Sequence, residues 1–95
     1  MMAQNISCWL DVTGPSYLID TACSSSLYAV EHAYRAIRSG QCDNAIVGGS
    51  NLCLHPYVSL QFNRLGVLSM DGRCKVFDED ANGYTRSETV SVVFI

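Results

Sequence analysis

The stretch "DTACSSSLYAVEHAYRAIRSG", residues 20–40, passes from a run of small and polar residues directly into an amphipathic pattern. Its large apolar residues recur at the three- and four-residue spacing of one helical face, at Leu27, Val30, Tyr34 and Ile37. We expect Ser24 or a neighbour to cap the start of this helix and Gly40 to end it. Cys23 lies where the small residues meet the helix, which raises the question of its role.

The segments around this helix predict an α/β fold. A short apolar run, "YLID" at residues 17–20, indicates a strand before it, and "NAIVGGSNLCLHP" at residues 44–56 indicates a buried strand after it. Pro56 is expected to start another helix, and "TVSVVFI" at residues 89–95 is typical of a final strand covered on both faces. The segment 66–83 is predicted to be irregular, with turns at Asp71-Gly72 and Asn82-Gly83. Alternating helices and strands favour α/β layering.

Composition narrows the class of protein. The chain has 95 residues, of which 48% are hydrophobic and 16% charged, and its net charge of -3 offers no basic face for nucleic acid. No apolar run approaches the ~20 residues that span a bilayer, so no membrane insertion is expected, and the start lacks the features of a signal peptide. The chain also stops inside the apolar run "VVFI". We therefore expect a partial sequence, incomplete at both ends.

The five cysteines are odd in number, widely spaced and without a C-x-x-C pair, at Cys8, Cys23, Cys42, Cys53 and Cys74. This pattern predicts reduced thiols of a cytoplasmic protein rather than a disulfide framework. Cys53 and His55 form a weak candidate metal pair, but the pattern contains no second pair, so no metal site is predicted.

Cys23 has two competing interpretations. A helix N-terminus offers free N–H groups and about half a positive charge, and both favour a thiolate nucleophile. Small neighbours leave room for a substrate, and the Cys23 N–H could donate to an oxyanion formed in acyl transfer. The alternative is a buried thiol beside capping serines, because free cysteine is among the most buried residue types.

The motifs favour the first interpretation through a family resemblance. The segment from "GPSYLIDTACSSS" to "AIVGG" resembles the active-site region of β-ketoacyl synthases, whose D-T-A-C-S-S-S motif matches residues 20–26. The resemblance is strongest to the condensing domain of animal-type fatty acid synthases and to related polyketide synthases. It continues through the L-G-x-L-S turn, the F-D loop and the G-Y-x-R-x-E motif. Thr89 departs from the pattern, because the family usually has Gly there.

The resemblance implies a thiolase-like layered αβαβα fold, with residues 1–95 forming part of the N-terminal half. It implies that Cys23 takes an acyl group from the phosphopantetheine of an acyl carrier protein. A malonyl-carrier protein then loses carbon dioxide, and its carbanion attacks the acyl-cysteine to give a β-ketoacyl thioester. No cofactor is expected on this segment. The expected partners are the acyl carrier protein domain, acyl and malonyl thioesters, and a second copy in a homodimer that pairs along residues 17–20.

Cys23 is the only catalytic residue that the resemblance assigns to this chain. Two family histidines assist decarboxylation and condensation, but neither His32 nor His55 occupies their motifs. We therefore expect both to be surface or packing histidines.

Five further positions are assigned structural roles. Asp20, Arg86 and Glu88 are expected to form hydrogen-bonded packing, since charged groups in an apolar segment need partners. Tyr84 and Phe77 are expected in the core, with lining of an acyl pocket as their alternative role.

Three functions remain open at the level of sequence. The first is a condensing domain of a fatty acid synthase, and the second is the same enzyme in a polyketide synthase. The third is a truncated, non-catalytic product that only binds acyl groups or a partner chain. Sequence beyond residue 95 would discriminate among them.

Overall fold

The computed structural model describes all residues 1–95 and combines helices with strands, as the α/β prediction requires. The elements in chain order are α1 (Met2–Trp9), a 3₁₀ turn (Ala22–Ser24), α2 (Ser25–Arg38), β1 (Ile46–Asn51), α3 (Pro56–Arg64) and β2 (Thr89–Phe94). None of the helices has both the length and the apolar character needed to cross a membrane.

Two compact units divide the chain, one made of residues 1–49 with 91–95 and the other of residues 50–90. The first unit contains α1, α2, residues 46–49 of β1 and residues 91–94 of β2, and it includes Cys23. The second contains α3 and the irregular segment that follows it. Each unit is described separately below.

Helix α1 was not predicted from the sequence. Its half-buried residues are Ala3 and Ser7, one turn apart, and such small residues give a weak hydrophobic period. Two side-chain hydrogen bonds join the helix to the following segment. Gln4 Nε2 donates to the Ser16 carbonyl at 2.9 Å, and the Ser7 and Ser16 hydroxyls lie 3.0 Å apart.

Helix α2 ends as the sequence predicts. Gly40 follows the last turn with a left-handed φ of 71°, and its N–H donates to the Ile37 carbonyl at 3.1 Å. The Gln41 N–H donates to Ala36 at 2.9 Å. This pair of bonds is a Schellman motif, which satisfies carbonyls that the helix leaves free, and glycine adopts the required φ at little cost.

The buried stripe of α2 differs from the prediction. Its half-buried residues are Ser25, Ala29, Val30, Glu31, Ala33, Ala36 and Ile37. By contrast, Leu27 is 73% and Tyr34 55% exposed, so two of the four predicted face residues are wrong. The packed stripe is centred on small alanines, which allow close approach but contribute little to a hydrophobic periodicity.

Strands β1 and β2 form a two-stranded sheet. Ala45 and Ile95 exchange both backbone hydrogen bonds, at 2.7 and 3.0 Å, and this reciprocal exchange is the mark of antiparallel pairing. The predicted strands are confirmed, although β1 is shorter than the apolar run that indicated it. Val47 is the one buried hydrophobic residue, at 7% exposure, and every residue of β2 is exposed, so the strand faces expected to be covered are open within residues 1–95.

The predicted strand at residues 17–20 is also wrong. These residues have no regular secondary structure, and no backbone hydrogen bond joins them to another segment. A strand is defined by its neighbour, so an apolar run forms one only where a partner offers a ladder.

In the second unit, α3 begins at Pro56 as predicted. His55 caps it, since its Nδ1 accepts the N–H of Tyr57 at 3.1 Å. Both predicted turns are present, with φ of 66° at Gly72 and 132° at Gly83. A parallel bridge joins Leu68 to Tyr84.

Side chains tie the two turns of this unit together. Lys75 Nζ donates to Asp71 Oδ2 at 2.6 Å, and Asn82 Nδ2 donates to the same oxygen at 3.2 Å. The Lys75 hydrogen bond, followed by that of Asn82, holds the pKa of the Asp71 carboxyl below its usual value.

Candidate active site

The 3₁₀ turn at Ala22–Ser24 places Cys23 in the first turn before α2, where the thiol is exposed. Within residues 1–95 the thiol is therefore not buried. Ala22, the residue before the cysteine, has a left-handed φ of 55°. This conformation is uncommon for a residue with a Cβ and persists only when the surroundings hold it.

A local network of hydrogen bonds holds this turn. Asp20 Oδ1 accepts the N–H of Ala22 at 3.0 Å, and this bond holds the strained residue in place. Ser25 Oγ accepts the N–H of Thr21 at 2.9 Å and donates to the Ala22 carbonyl at 2.6 Å. The structural role predicted for Asp20 is confirmed, and Thr21 and Ser25, which the sequence did not single out, also hold the turn by hydrogen bonds.

Ser24 is the N-cap residue of α2, but its side chain does not cap the helix. Its hydroxyl donates instead to the Thr21 carbonyl at 2.9 Å and lies 3.0 Å from Thr21 Oγ1. The predicted serine cap is therefore corrected to a hydroxyl that points back along the chain. This leaves the front of the helix start without a capping oxygen.

One backbone donor in the turn is unused. The N–H groups of Thr21, Ala22, Ser24 and Ser25 all have acceptors within the chain. The N–H of Cys23 has none among the hydrogen bonds of the structure. A donor on the same residue as the thiol is placed to stabilise an oxyanion that forms at a carbonyl attacked by that thiol.

Gly49 of β1 runs close to the start of α2. A Cβ built on Gly49 would lie 3.4 Å from the Cβ of Ser26, which is tight for a side-chain contact. The absence of a side chain at Gly49 thus admits the start of the helix.

Both histidines have local structural partners, as expected. His32 Nδ1 lies 3.3 Å from the hydroxyl of Tyr17, and the two rings meet edge to face at 5.9 Å. His55 caps α3 through Tyr57. No group of three or more His, Cys, Asp or Glu side chains is arranged to hold a metal ion.

The predicted packing roles of Arg86 and Glu88 are confirmed within the second unit. Glu88 Oε1 accepts the N–H of Cys53 at 2.7 Å. The Arg86 guanidinium stacks 4.7 Å from the centre of the Phe62 ring. Its hydrogen bond with the Tyr84 hydroxyl, at 3.5 Å, raises the pKa of Arg86 above its ordinary value.

The two aromatic residues expected in the core differ. Tyr84 is half-buried and meets Phe62 edge to face with 6.4 Å between ring centres. Phe77 is fully exposed, with a left-handed φ of 59°, so its predicted core position is wrong. Phe77 lies in the irregular segment 66–83, which has no helix or strand to place its side chain on an apolar face.

Comparison with known proteins assigns the chain to a family. The family model described as "Beta-ketoacyl synthase, N-terminal domain" matches residues 1–95. The chain is 59% identical over 95 residues to a fatty acid synthase of the goose Anser anser anser. It is 47% identical over 95 residues to a highly reducing polyketide synthase of Gibberella fujikuroi. It spans 27% of the first of these relatives and 4% of the second.

Solved structures of ketosynthase domains show the same fold. A ketosynthase domain of the oxazolomycin system of Streptomyces albus is 46% identical, with a TM-score of 0.90 over 97% of this chain and 16% of that one. A ketosynthase from the bacillaene synthase of Bacillus subtilis is 40% identical, with a TM-score of 0.91 over 97% of this chain and 17% of that one. Together with the family model, these likenesses confirm the thiolase-like fold, and the chain belongs to the N-terminal domain family of β-ketoacyl synthases.

Proposed function

We propose that this chain is part of a condensing acyltransferase of fatty acid synthesis and that Cys23 is its acyl-accepting nucleophile. The observation that carries the proposal is the exposed Cys23 thiol, in the matched D-T-A-C-S-S-S motif, beside its own unused N–H. The 59% identity to the goose fatty acid synthase supports fatty acid synthesis as the setting.

The first half-reaction follows from the geometry of the turn. The Cys23 thiolate attacks the carbonyl carbon of an acyl thioester, and a carbon–sulfur bond forms as the carbonyl electrons move to oxygen. The Cys23 N–H is available to donate to that oxyanion. When the intermediate collapses, the old carbon–sulfur bond breaks and the phosphopantetheine thiol leaves, which leaves the acyl group on Cys23.

In the second half-reaction, malonyl-carrier protein loses carbon dioxide and its carbanion attacks the acyl-cysteine carbonyl. The new carbon–carbon bond releases the Cys23 thiolate and gives a β-ketoacyl thioester. The proposed partners are accordingly an acyl carrier protein domain and acyl and malonyl thioesters. The five unpaired thiols support a cytoplasmic setting, because oxidising compartments favour disulfides.

We also propose a homodimer that pairs along residues 17–20. This segment has backbone groups without partners in the chain, and such a segment is a template for pairing with another copy. Sedimentation of the intact synthase tests this part of the proposal, which active monomers alone would contradict.

The acyl-cysteine is tested by acylating the intact synthase with acetyl-coenzyme A and mapping the modified peptide. We expect acetyl on Cys23 and its loss, together with condensation, in Cys23→Ala, because alanine removes the nucleophile without adding bulk. Cys8 and Cys74 are also exposed, so Cys8→Ala is the matched control and should keep full labelling. Labelling at Cys42 or Cys53 in place of Cys23 would refute the assignment.

The alternative is a condensing domain of a polyketide synthase, which the 47% identity to the Gibberella fujikuroi protein favours. Both settings use the same proposed chemistry at Cys23. The product of the purified synthase with malonyl thioester and a reductant discriminates them, since a saturated acyl chain supports fatty acid synthesis and a retained keto or hydroxyl pattern supports a polyketide.

A further inference from the structure

The segment that leads to the nucleophile has few attachments within its own chain. Residues 17–20 form no backbone hydrogen bond with another segment. Ser16 is joined to α1 by the Gln4 and Ser7 side chains, so the preceding end of the segment is fixed to that helix. On the α2 side, the side-chain hydrogen bond that reaches beyond the first turn is the contact of Tyr17 with His32.

The Tyr17–His32 contact combines polar and aromatic parts. Tyr17 Oη and His32 Nδ1 are 3.3 Å apart, and the rings meet edge to face at 5.9 Å with an interplanar angle of 64°. With Nδ1 unprotonated, the tyrosine hydroxyl donates to it. An edge-to-face pair stabilises by about 0.5–1.5 kcal/mol beyond the area that it buries in other proteins.

This contact joins residues on either side of the nucleophile along the chain. The two residues of the contact are 15 positions apart along the chain, and Cys23 and the strained Ala22 both lie between them. His32 is nine residues after Cys23, about 13 Å along the helix at 1.5 Å per residue. The pair therefore fixes the approach segment to the middle of α2, whereas Asp20 and Ser25 fix only the turn itself.

We propose that Tyr17 and His32 are positioning residues for acyl transfer, a brace that holds the left-handed turn and thereby aims the Cys23 thiol and N–H at the same carbonyl. The left-handed Ala22 costs free energy and relaxes unless its surroundings hold it. The proposed pairing with a second copy would hold the backbone of residues 17–20 against the partner, whereas the brace fixes this segment to α2 of its own chain. Loss of the brace lets the turn shift relative to α2, and a small misplacement of a nucleophile slows attack. This inference rests on the proposed role of Cys23.

The test is the rate of Cys23 acetylation by acetyl-coenzyme A in the intact synthase, followed by mass spectrometry of the Cys23 peptide. Tyr17→Phe removes the hydroxyl and keeps the ring, and His32→Leu removes the acceptor. We expect each to lower the maximal acetylation rate by about two- to tenfold, the equivalent of one hydrogen bond. The half-saturating thioester concentration and the thermal midpoint should stay unchanged. A merely structural role would instead lower the thermal midpoint.

Two variants make the comparison specific. His32→Asn places an amide oxygen near the position of Nδ1 and should restore the rate to within about twofold of the wild type. Tyr34→Phe is the matched control on the same helix, because the Tyr34 hydroxyl accepts only from Arg38 Nη1, at 3.2 Å, and it should leave the rate unchanged. The double variant Tyr17→Phe/His32→Leu should be no slower than the slower single variant, since both remove one shared interaction.

The outcomes separate this inference from the proposed function. If wild-type Cys23 is not acetylated, the proposed nucleophile is wrong and the brace falls with it. If Cys23 is acetylated and Tyr17→Phe, His32→Leu and Tyr34→Phe all match the wild-type rate, the brace alone is overturned. Additive losses in the double variant also overturn it, because independent effects are not a shared contact.

Discussion

At the scale of single residues, backbone conformation decides which substitutions the chain tolerates. Ala22, Phe77 and Asp11 have a left-handed φ despite a side chain, and the glycines occupy the remaining left-handed positions. At Ala22 the strain immediately precedes the proposed nucleophile, and strained backbone of this kind is found most often at functional sites. At the glycines, the local space decides how much a side chain costs.

Gly83 and Gly72 provide a matched pair for this reasoning. A Cβ on Gly83 would lie 2.6 Å from the carbonyl carbon of Leu68, and φ there is 132°. Gly72 has φ of 66° and nothing within 4 Å of the built Cβ. We expect Gly83→Ala to destabilise by about 2–4 kcal/mol and Gly72→Ala by about 1 kcal/mol. Denaturant unfolding of the intact synthase, followed on this domain, measures both, and equal losses would contradict the steric argument.

At the scale of elements, hydrogen bonds between side chains replace regular structure in residues 66–83. Asp71 is the centre of this segment, because Lys75 and Asn82 both donate to its Oδ2. Lys75 Nζ also reaches the Asp80 carbonyl at 3.4 Å. The carboxylate therefore connects two turns that no backbone ladder joins directly.

The lowered pKa of Asp71 gives this connection a pH dependence. A carboxyl whose pKa is lowered in the folded state stabilises the fold when the pH is above 3.8, its pKa in the unfolded chain. This stabilisation is lost as the pH falls through the folded-state pKa. We expect proteolysis of the 66–83 segment to accelerate in acid below about pH 4 and to be faster at neutral pH in Asp71→Ala. Asp43→Ala is the control, and a wild-type segment equally protected at all pH values would contradict the prediction.

At the scale of the whole molecule, the chain buries very little. Val47 is its one buried hydrophobic residue, and large apolar side chains are exposed along both strands and all three helices. Cooperative unfolding depends on a shared core, and open apolar surface favours association. The sheet contributes exposed strands as well, which are templates for pairing with other chains.

We therefore expect residues 1–95 expressed alone to unfold without a sharp transition, to bind a hydrophobic dye and to aggregate. We also expect no carbon dioxide release from malonyl-carrier protein above a Cys23→Ala control, since neither His32 nor His55 occupies a catalytic histidine motif of the family. Calorimetry, dye fluorescence and light scattering measure the first three properties in turn. A soluble monomer with a cooperative transition would show that the exposed faces do not need a partner, and turnover would assign a catalytic role to a histidine.

The sequence by itself determined the features that are local along the chain. Helix α2 and its end at Gly40, the start of α3 at Pro56 and the two turns all follow from spacing, proline and glycine, because each depends on neighbours within a few residues. The seven-residue motif around Cys23 likewise identified the family. Tertiary structure decided what depends on distant partners. Residues 17–20 form no strand, Phe77 is exposed and α2 packs through its alanines. Burial and strand pairing each depend on two segments together, so neither can be read from one segment alone.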